Sequence, residues 1–145
     1  MTSIADANVL FPLLVQGHAA HAVAEEWWDK QEDGTVATCL VTRLAVLRLL
    51  TRVAMNGAPV KPEEALDAWR RLSNDPRSFQ IDTQPIEHES RFESLVVSRE
   101  PTPNLWADAW LAALAISLDC EFTTFDRGFK SFRGLRLRLL QMPDR

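Results

Sequence analysis

Three aspartates, Asp6, Asp108 and Asp126, are the residues of this 145-residue chain whose types and surroundings point most directly to chemistry. Asp108 is flanked by Trp106, Ala107, Ala109, Trp110 and Leu111. A carboxylate in such company is costly to bury unless it is paired or bound to a cation. Asp6 directly follows the short run Ser3-Ile4-Ala5, and Asp126 follows Phe122-Thr123-Thr124-Phe125. Each acid alone has an ordinary structural use. Asp6 can cap a helix, Asp126 can open a turn with Arg127-Gly128, and Asp108 can favour the positive end of its helix. Brought together, they would form a set of hard oxygen donors suited to a divalent cation.

Whether they meet depends on the elements between them. Ser3-Ile4-Ala5, Val36-Ala37, Phe79-Gln80-Ile81-Asp82, Glu121-Phe122-Thr123-Thr124 and the alternating Leu135 to Leu139 segment read as short strands. The apolar run from Val9 to Leu14 opens a first helix. A second is expected over His18 to Asp33, with Val23, Ala24, Trp27 and Trp28 on one side and Gly34 ending it. Thr42 or a neighbour can cap a third, whose stripe is Leu44, Leu47, Leu50 and Val53 and whose end is Asn56-Gly57. Pro62-Glu63-Glu64 opens a fourth, using Ala65, Leu66, Trp69 and Leu72. A fifth spans about Ile86 to Val97, and Asn104 is placed to cap a strongly apolar sixth, Leu105 to Leu118. Strands separated by helices require crossovers, so the expected fold is α/β, a three-layer αβα sandwich on a short, mostly parallel central sheet. In such sheets ligands bind beyond the carboxyl ends of the strands, where Asp6, Asp126 and the first turn carrying Asp108 can converge.

Composition narrows the remaining classes. With 46% hydrophobic and 25% charged residues, residues 1–145 are expected to form one domain with a sizeable core. The net charge of −4 and pI near 5.4 exclude nucleic-acid binding through bulk positive charge. That charge divides into −9 over residues 1–126 and +5 over residues 127–145. Arg127 and Lys130 stand beside Asp126 as candidate phosphate contacts, while Arg136 and Arg138 serve equally well to blunt a sheet edge. Cys39 and Cys120 lie 81 positions apart, without a CxxC pattern, and read as buried thiols in a reducing compartment. His18 and His21 can share a helix face but lack a third soft ligand. No basic leader precedes Asp6, and no apolar run approaches the ~20 residues of a membrane span. The expected location is therefore the cytoplasm. The five tryptophans favour core or protein interface over base stacking, and of the adjacent Trp27 and Trp28 one is expected to face a partner.

The segment from Leu105 to Ala115, followed by Phe122-Thr123-Thr124-Phe125-Asp126-Arg127-Gly128-Phe129, resembles the closing signature of the PIN-domain ribonucleases. Within them it is similar to the VapC toxins of bacterial toxin–antitoxin pairs. Ile4-Ala5-Asp6-Ala7-Asn8-Val9-Leu10 resembles the family's opening motif, so the likeness runs over nearly the full chain. The resemblance implies a carboxylate-held Mg²⁺ or Mn²⁺, hydrolysis of RNA phosphodiesters to 5′-phosphate and 3′-hydroxyl ends, a homodimer and a cognate antitoxin. It assigns Asp6, Asp108 and Asp126 as metal ligands and catalytic acids. Asn8 and Thr124 match its small polar positions, and Arg127 and Lys130 would join them on the substrate side. The family's second acid is a Glu three residues before an Arg. Counted from Arg48 that position is Ala45, and the nearby Arg43 is no acid either.

Two competitors follow. A PIN-like RNA- or protein-binding chain with a degenerate metal site would bind without cutting. A phosphoryl-transfer domain with Asp6 as acceptor is disfavoured, because Asn8 stands where a second acid is wanted and only Asp82 and Lys130 approach the alternative arrangement.

Overall fold

A computed structural model describes residues 1–52 and 60–144. The five strands are β1 (Ser3–Ala5), β2 (Val36–Thr38), β3 (Ser78–Gln80), β4 (Glu121–Thr124) and β5 (Arg136–Leu139). They form one sheet in the order β3-β2-β1-β4-β5, with all four ladders parallel. β1 and β2 are buried at every position, as strands covered on both faces must be. Alternation divides their side chains: Ala5 and Val36 enter one apolar cluster, Ile4 and Ala37 the other.

The first cluster lies beneath α1 (Ala7–Leu14), α2 (His21–Asp29), α3 (Leu40–Leu50) and α4 (Pro62–Ser73). The second is covered by α6 (Leu105–Ser117), which α5 (His88–Val96) packs against from outside. This is the expected three-layer sandwich. Strand order reverses direction between β1 and β4, which makes their carboxyl ends the switch point where such sheets bind ligands.

Several local expectations need correction. α2 begins at His21, so His18 lies outside it: its Nδ1 accepts from the Ala20 N–H at 3.0 Å, and its ring meets the Phe11 edge. His21 Nδ1 donates to the Pro12 carbonyl at 2.9 Å, so the two imidazoles do not share a helix face. Trp27 and Trp28 are both buried, and Arg77 lies over the Trp28 ring at 5.3 Å, so neither presents the exposed ring expected for a partner. On α3 the buried positions are Thr42, Val46 and Leu50, while Leu44 is 57% exposed. This helix is apolar on nearly every side, so periodicity could not select its face. Its cap is Cys39; Thr42 is the partner within the turn, its hydroxyl accepting from the Cys39 N–H at 3.2 Å. Val53 and Asn56-Gly57 lie outside the described residues. Asn104 precedes α6 but its side chain makes no capping bond. Ile86, expected to open α5, is 99% exposed ahead of it. Cys39 and Cys120 are buried free thiols, as expected. No helix among the described residues is long and apolar enough to cross a membrane.

Candidate functional site

Asp6 ends β1 and caps α1: its Oδ1 accepts from the Ala7 N–H at 2.7 Å. Its Oδ2 accepts from the Thr124 hydroxyl at 2.8 Å. That hydroxyl is fully buried and accepts in turn from Asn8 Nδ2 at 3.1 Å and the Asp126 N–H at 3.0 Å. Asn8 Oδ1 accepts from the Phe125 N–H at 3.2 Å. Thr124 therefore ties the end of β1 to the end of β4, with Asn8 closing the join from α1. The positions named for Asn8 and Thr124 are joined to Asp6, but both side chains are occupied within the protein.

Asp126 caps a 3-10 turn over Arg127–Ser131, its Oδ1 accepting from the Gly128 N–H at 2.7 Å. A Cβ added at Gly128 would meet that oxygen at 3.0 Å, so the residue suits the close approach. Arg127 and Lys130 are exposed on the same turn, and neither makes an ion pair among the described residues. Arg136 and Arg138 do not join them. They pair with Asp119 at 2.9 Å and Glu121 at 2.7 Å, so they serve the sheet edge.

Asp108 lies half-buried in the opening turns of α6 and forms no side-chain hydrogen bond or ion pair among the described residues. Burial pushes its carboxyl up to about 6, and the charges of Asp6 and Asp126 add to the shift. Burial also raises Asp6, with Asp126 contributing, against the lowering bonds from Thr124 and Ala7. Asp108 thus feels both other acids and Asp6 feels Asp126, and the site holds excess negative charge with no ion-pair partner among the described residues. Among the described residues no group of three or more His, Cys, Asp or Glu side chains is placed to hold a metal ion, so Asp6, Asp108 and Asp126 share one end of the sheet without forming a ready-made ligand set. The donor chemistry nonetheless fits a hard divalent cation, which would relieve repulsion that the chain leaves uncompensated.

α3 carries no acid. Ala45 packs against the first apolar cluster, and Arg43 keeps its Nε buried without a hydrogen-bond partner. Sequence reasoning did not foresee that buried nitrogen, nor His88, whose Nε2 bonds the Trp110 carbonyl at 3.0 Å and fastens α5 to α6. Two cavities adjoin residues of this cluster. One of about 520 Å³ adjoins Asn8 and is lined by Phe11, Pro12, His18 and Phe125, and one of about 310 Å³ adjoins Asp108.

The PIN-domain family profile matches residues 4–135. Ribonuclease VapC41 of Mycobacterium tuberculosis is 32% identical over 142 residues, covering 94% of this chain and 97% of that protein. Among solved structures, VapBC2 from Rickettsia felis, bound to a DNA fragment from its promoter, aligns with TM-score 0.68 at 16% identity, over 97% of this chain and 100% of the other. VapC20 of Mycobacterium tuberculosis, a Sarcin-Ricin loop cleaving toxin, aligns with TM-score 0.63 at 22% identity, over 93% of this chain and 99% of the other. The acids at the switch point of a parallel sheet, the profile match and the full-length likeness agree: this chain belongs to the PIN-domain family, among the VapC ribonucleases.

Proposed function

We propose that this chain is a Mg²⁺- or Mn²⁺-dependent endoribonuclease toxin, held in check by a cognate antitoxin and acting in the cytoplasm as a homodimer. The observation that carries the reading is Asp108: a half-buried carboxyl pushed up to about 6, beside two further acids and without an ion-pair partner among the described residues. Such a site is unfavourable for the chain alone and suited to a bound cation. The metal, when bound, supplies Lewis-acid stabilisation of the phosphate and lowers the pKa of water. The chain's own residues do the rest. Asp6, Asp108 and Asp126 provide the donor oxygens, and Thr124 and Asn8 hold Asp6 and the Asp126 backbone in register. Asp126, whose second oxygen lies outside its bond to Gly128, or Asp6 would orient an attacking water. Arg127 and Lys130 offer phosphate contacts on the exposed rim. Leu40 and Leu44, each 57% exposed on α3, leave apolar surface for a protein partner.

The absence of an acid on α3 favours the competing reading, a chain that binds without cutting. Incubating purified protein with labelled RNA and Mg²⁺ or Mn²⁺ separates the two. Cleavage by the parent, lost in Asp6→Asn and Asp108→Asn, is the expected result. An inert parent in which Ala45→Glu creates activity establishes the competitor.

A further inference from the structure

The cavity on the outer side of Asp108 is walled by a fixed arginine that the metal site does not use. Ser98, just past α5, has φ of 67°, a left-handed conformation uncommon outside glycine. The chain reverses there and Arg99 folds back over the 3-10 turn. Its Nε donates to the Leu95 carbonyl at 2.6 Å, Nη1 to the Ser131 hydroxyl at 2.8 Å and Nη2 to the Ser131 carbonyl at 2.7 Å. The guanidinium carbon lies 4.2 Å from the centre of the Phe132 ring. The Ser131 hydroxyl donates onward to the Gly128 carbonyl at 2.8 Å, in the turn that Asp126 caps.

Most in-plane donors of Arg99 are thereby engaged, and one of its faces is covered by Phe132. The opposite face and the remaining edge are what it can present to a cavity of about 310 Å³, shared with Glu100, Thr102, Leu105 and Asp108. Unpaired RNA bases stack on guanidinium planes and are read along their edges. A guanidinium already immobilised pays little further ordering cost. A phosphate would fit this space worse, because the Glu100 and Asp108 carboxylates border it. A base edge carrying amino or imino hydrogens fits better, with the Glu100 carboxylate and Thr102 hydroxyl as acceptors.

We infer that this cavity is a nucleobase subsite: one unpaired base adjoining the scissile phosphate stacks on Arg99, with its donor-bearing edge toward Glu100. Guanine suits it best, since its neighbouring imino and amino hydrogens match the two oxygens of a carboxylate. Uracil, which lacks an amino group, suits it least. The inference rests on the RNA-cleaving reading and assigns part of its specificity.

The test is to digest a random-sequence library of short single-stranded RNAs with Mg²⁺ and map the cut ends. The parent should show guanine enriched and uracil depleted at one fixed position beside the cut, and Glu100→Gln should flatten that preference. An abasic nucleotide at this position should lower kcat/KM of the parent about tenfold, a factor that corresponds to about 1.4 kcal/mol. In Arg99→Lys, which keeps the charge and loses the plane, the abasic substitution should cost nothing further. Thr102→Trp, on the exposed link, fills the cavity and provides the same readout if Arg99→Lys fails to fold. Cutting with no base preference beside the cleaved bond overturns the inference alone, as do equal abasic penalties in parent and variants. A parent that cuts no RNA overturns the functional reading and the inference with it.

Discussion

The two ends of the central sheet carry the same kind of residue and treat it in opposite ways. At the amino end of β4, Asp119 meets Arg136 at 2.9 Å and Glu121 meets the Arg138 side chain at 2.7 Å. At the carboxyl end of β1 and β4, burial and neighbouring carboxylates hold Asp6 and Asp108 above the ordinary carboxylate range, and no arginine or lysine pairs with Asp6, Asp108 or Asp126 among the described residues. The first end is neutralised by the chain itself. The second is left unpaired by the described residues, which is what separates a sheet edge from a binding site when composition is alike.

The sharpest way to break the contrast is to remove the charge at the unpaired end. Asp108→Asn should lower RNA cleavage on the order of 10²–10³-fold, measured as kcat/KM in saturating Mg²⁺. The same substitution should stabilise the metal-free protein, by on the order of 1 kcal/mol once solvent screening of this half-exposed group is allowed for. Thermal melts without metal check the second half, and a destabilised Asp108→Asn would contradict the account of the site. Thr124→Val probes the join beneath the acids. It leaves the buried Asp6 Oδ2 and the Asp126 N–H without their partner, at a cost of about 1–3 kcal/mol. Cleavage should fall about 10–100-fold, the usual penalty for losing a group that orients ligands. Because the Thr124 bond lowers the Asp6 pKa, the acid limb of the pH–rate profile should also move upward.

Titration compares the two ends without mutation. Folding raises the Asp108 carboxyl to about 6, so the folded chain holds that proton more tightly than the unfolded one. Its contribution to metal-free stability is therefore present below the ordinary carboxylate range and is lost as pH rises through about 6. The melting temperature without metal should fall over that interval, and Asp108→Asn should flatten the decline. Added Mg²⁺ should raise the melting temperature more at pH 7 than at pH 5, since ligation competes with the proton.

Much of this site was legible in advance because its supports are local. Ser3-Ile4-Ala5 and Phe122-Thr123-Thr124 are short buried strands that lead to acids, and the strand and helix sequence brings those ends to one side of the sheet. Other features were illegible for physical reasons. The apolar residues of α3 surround its axis, so Leu44 and Val46 could not be told apart until α1 and α4 were in place. Trp27 and Trp28 both find cover because Arg77, far along the chain, closes over the second ring. Arg99 carries no periodic signal, since its position depends on the left-handed turn at Ser98 and on a hydroxyl from Ser131. The basic stretch at the C-terminus looked uniform in sequence, yet Arg136 and Arg138 are drawn to Asp119 and Glu121 while Arg127 and Lys130 stay beside Asp126.

That division sets the smallest expected effect. Arg138→Gln removes the partner of Glu121 at an exposed edge, where an ion pair contributes about 0–1 kcal/mol. Its melting temperature should therefore change little, and high salt should erase most of the difference. Cleavage of a short RNA should be unaltered, because the lost charge lies at the opposite end of β4 from the acids. Lys130→Gln removes the same single charge from the turn at the unpaired end. It should instead weaken RNA binding and reduce the salt dependence of KM, as expected for the loss of one phosphate contact. Equal effects of the two substitutions on KM would show that RNA reads the net charge of the C-terminal stretch rather than its position, and the distinction between the two ends would fail at its weakest point.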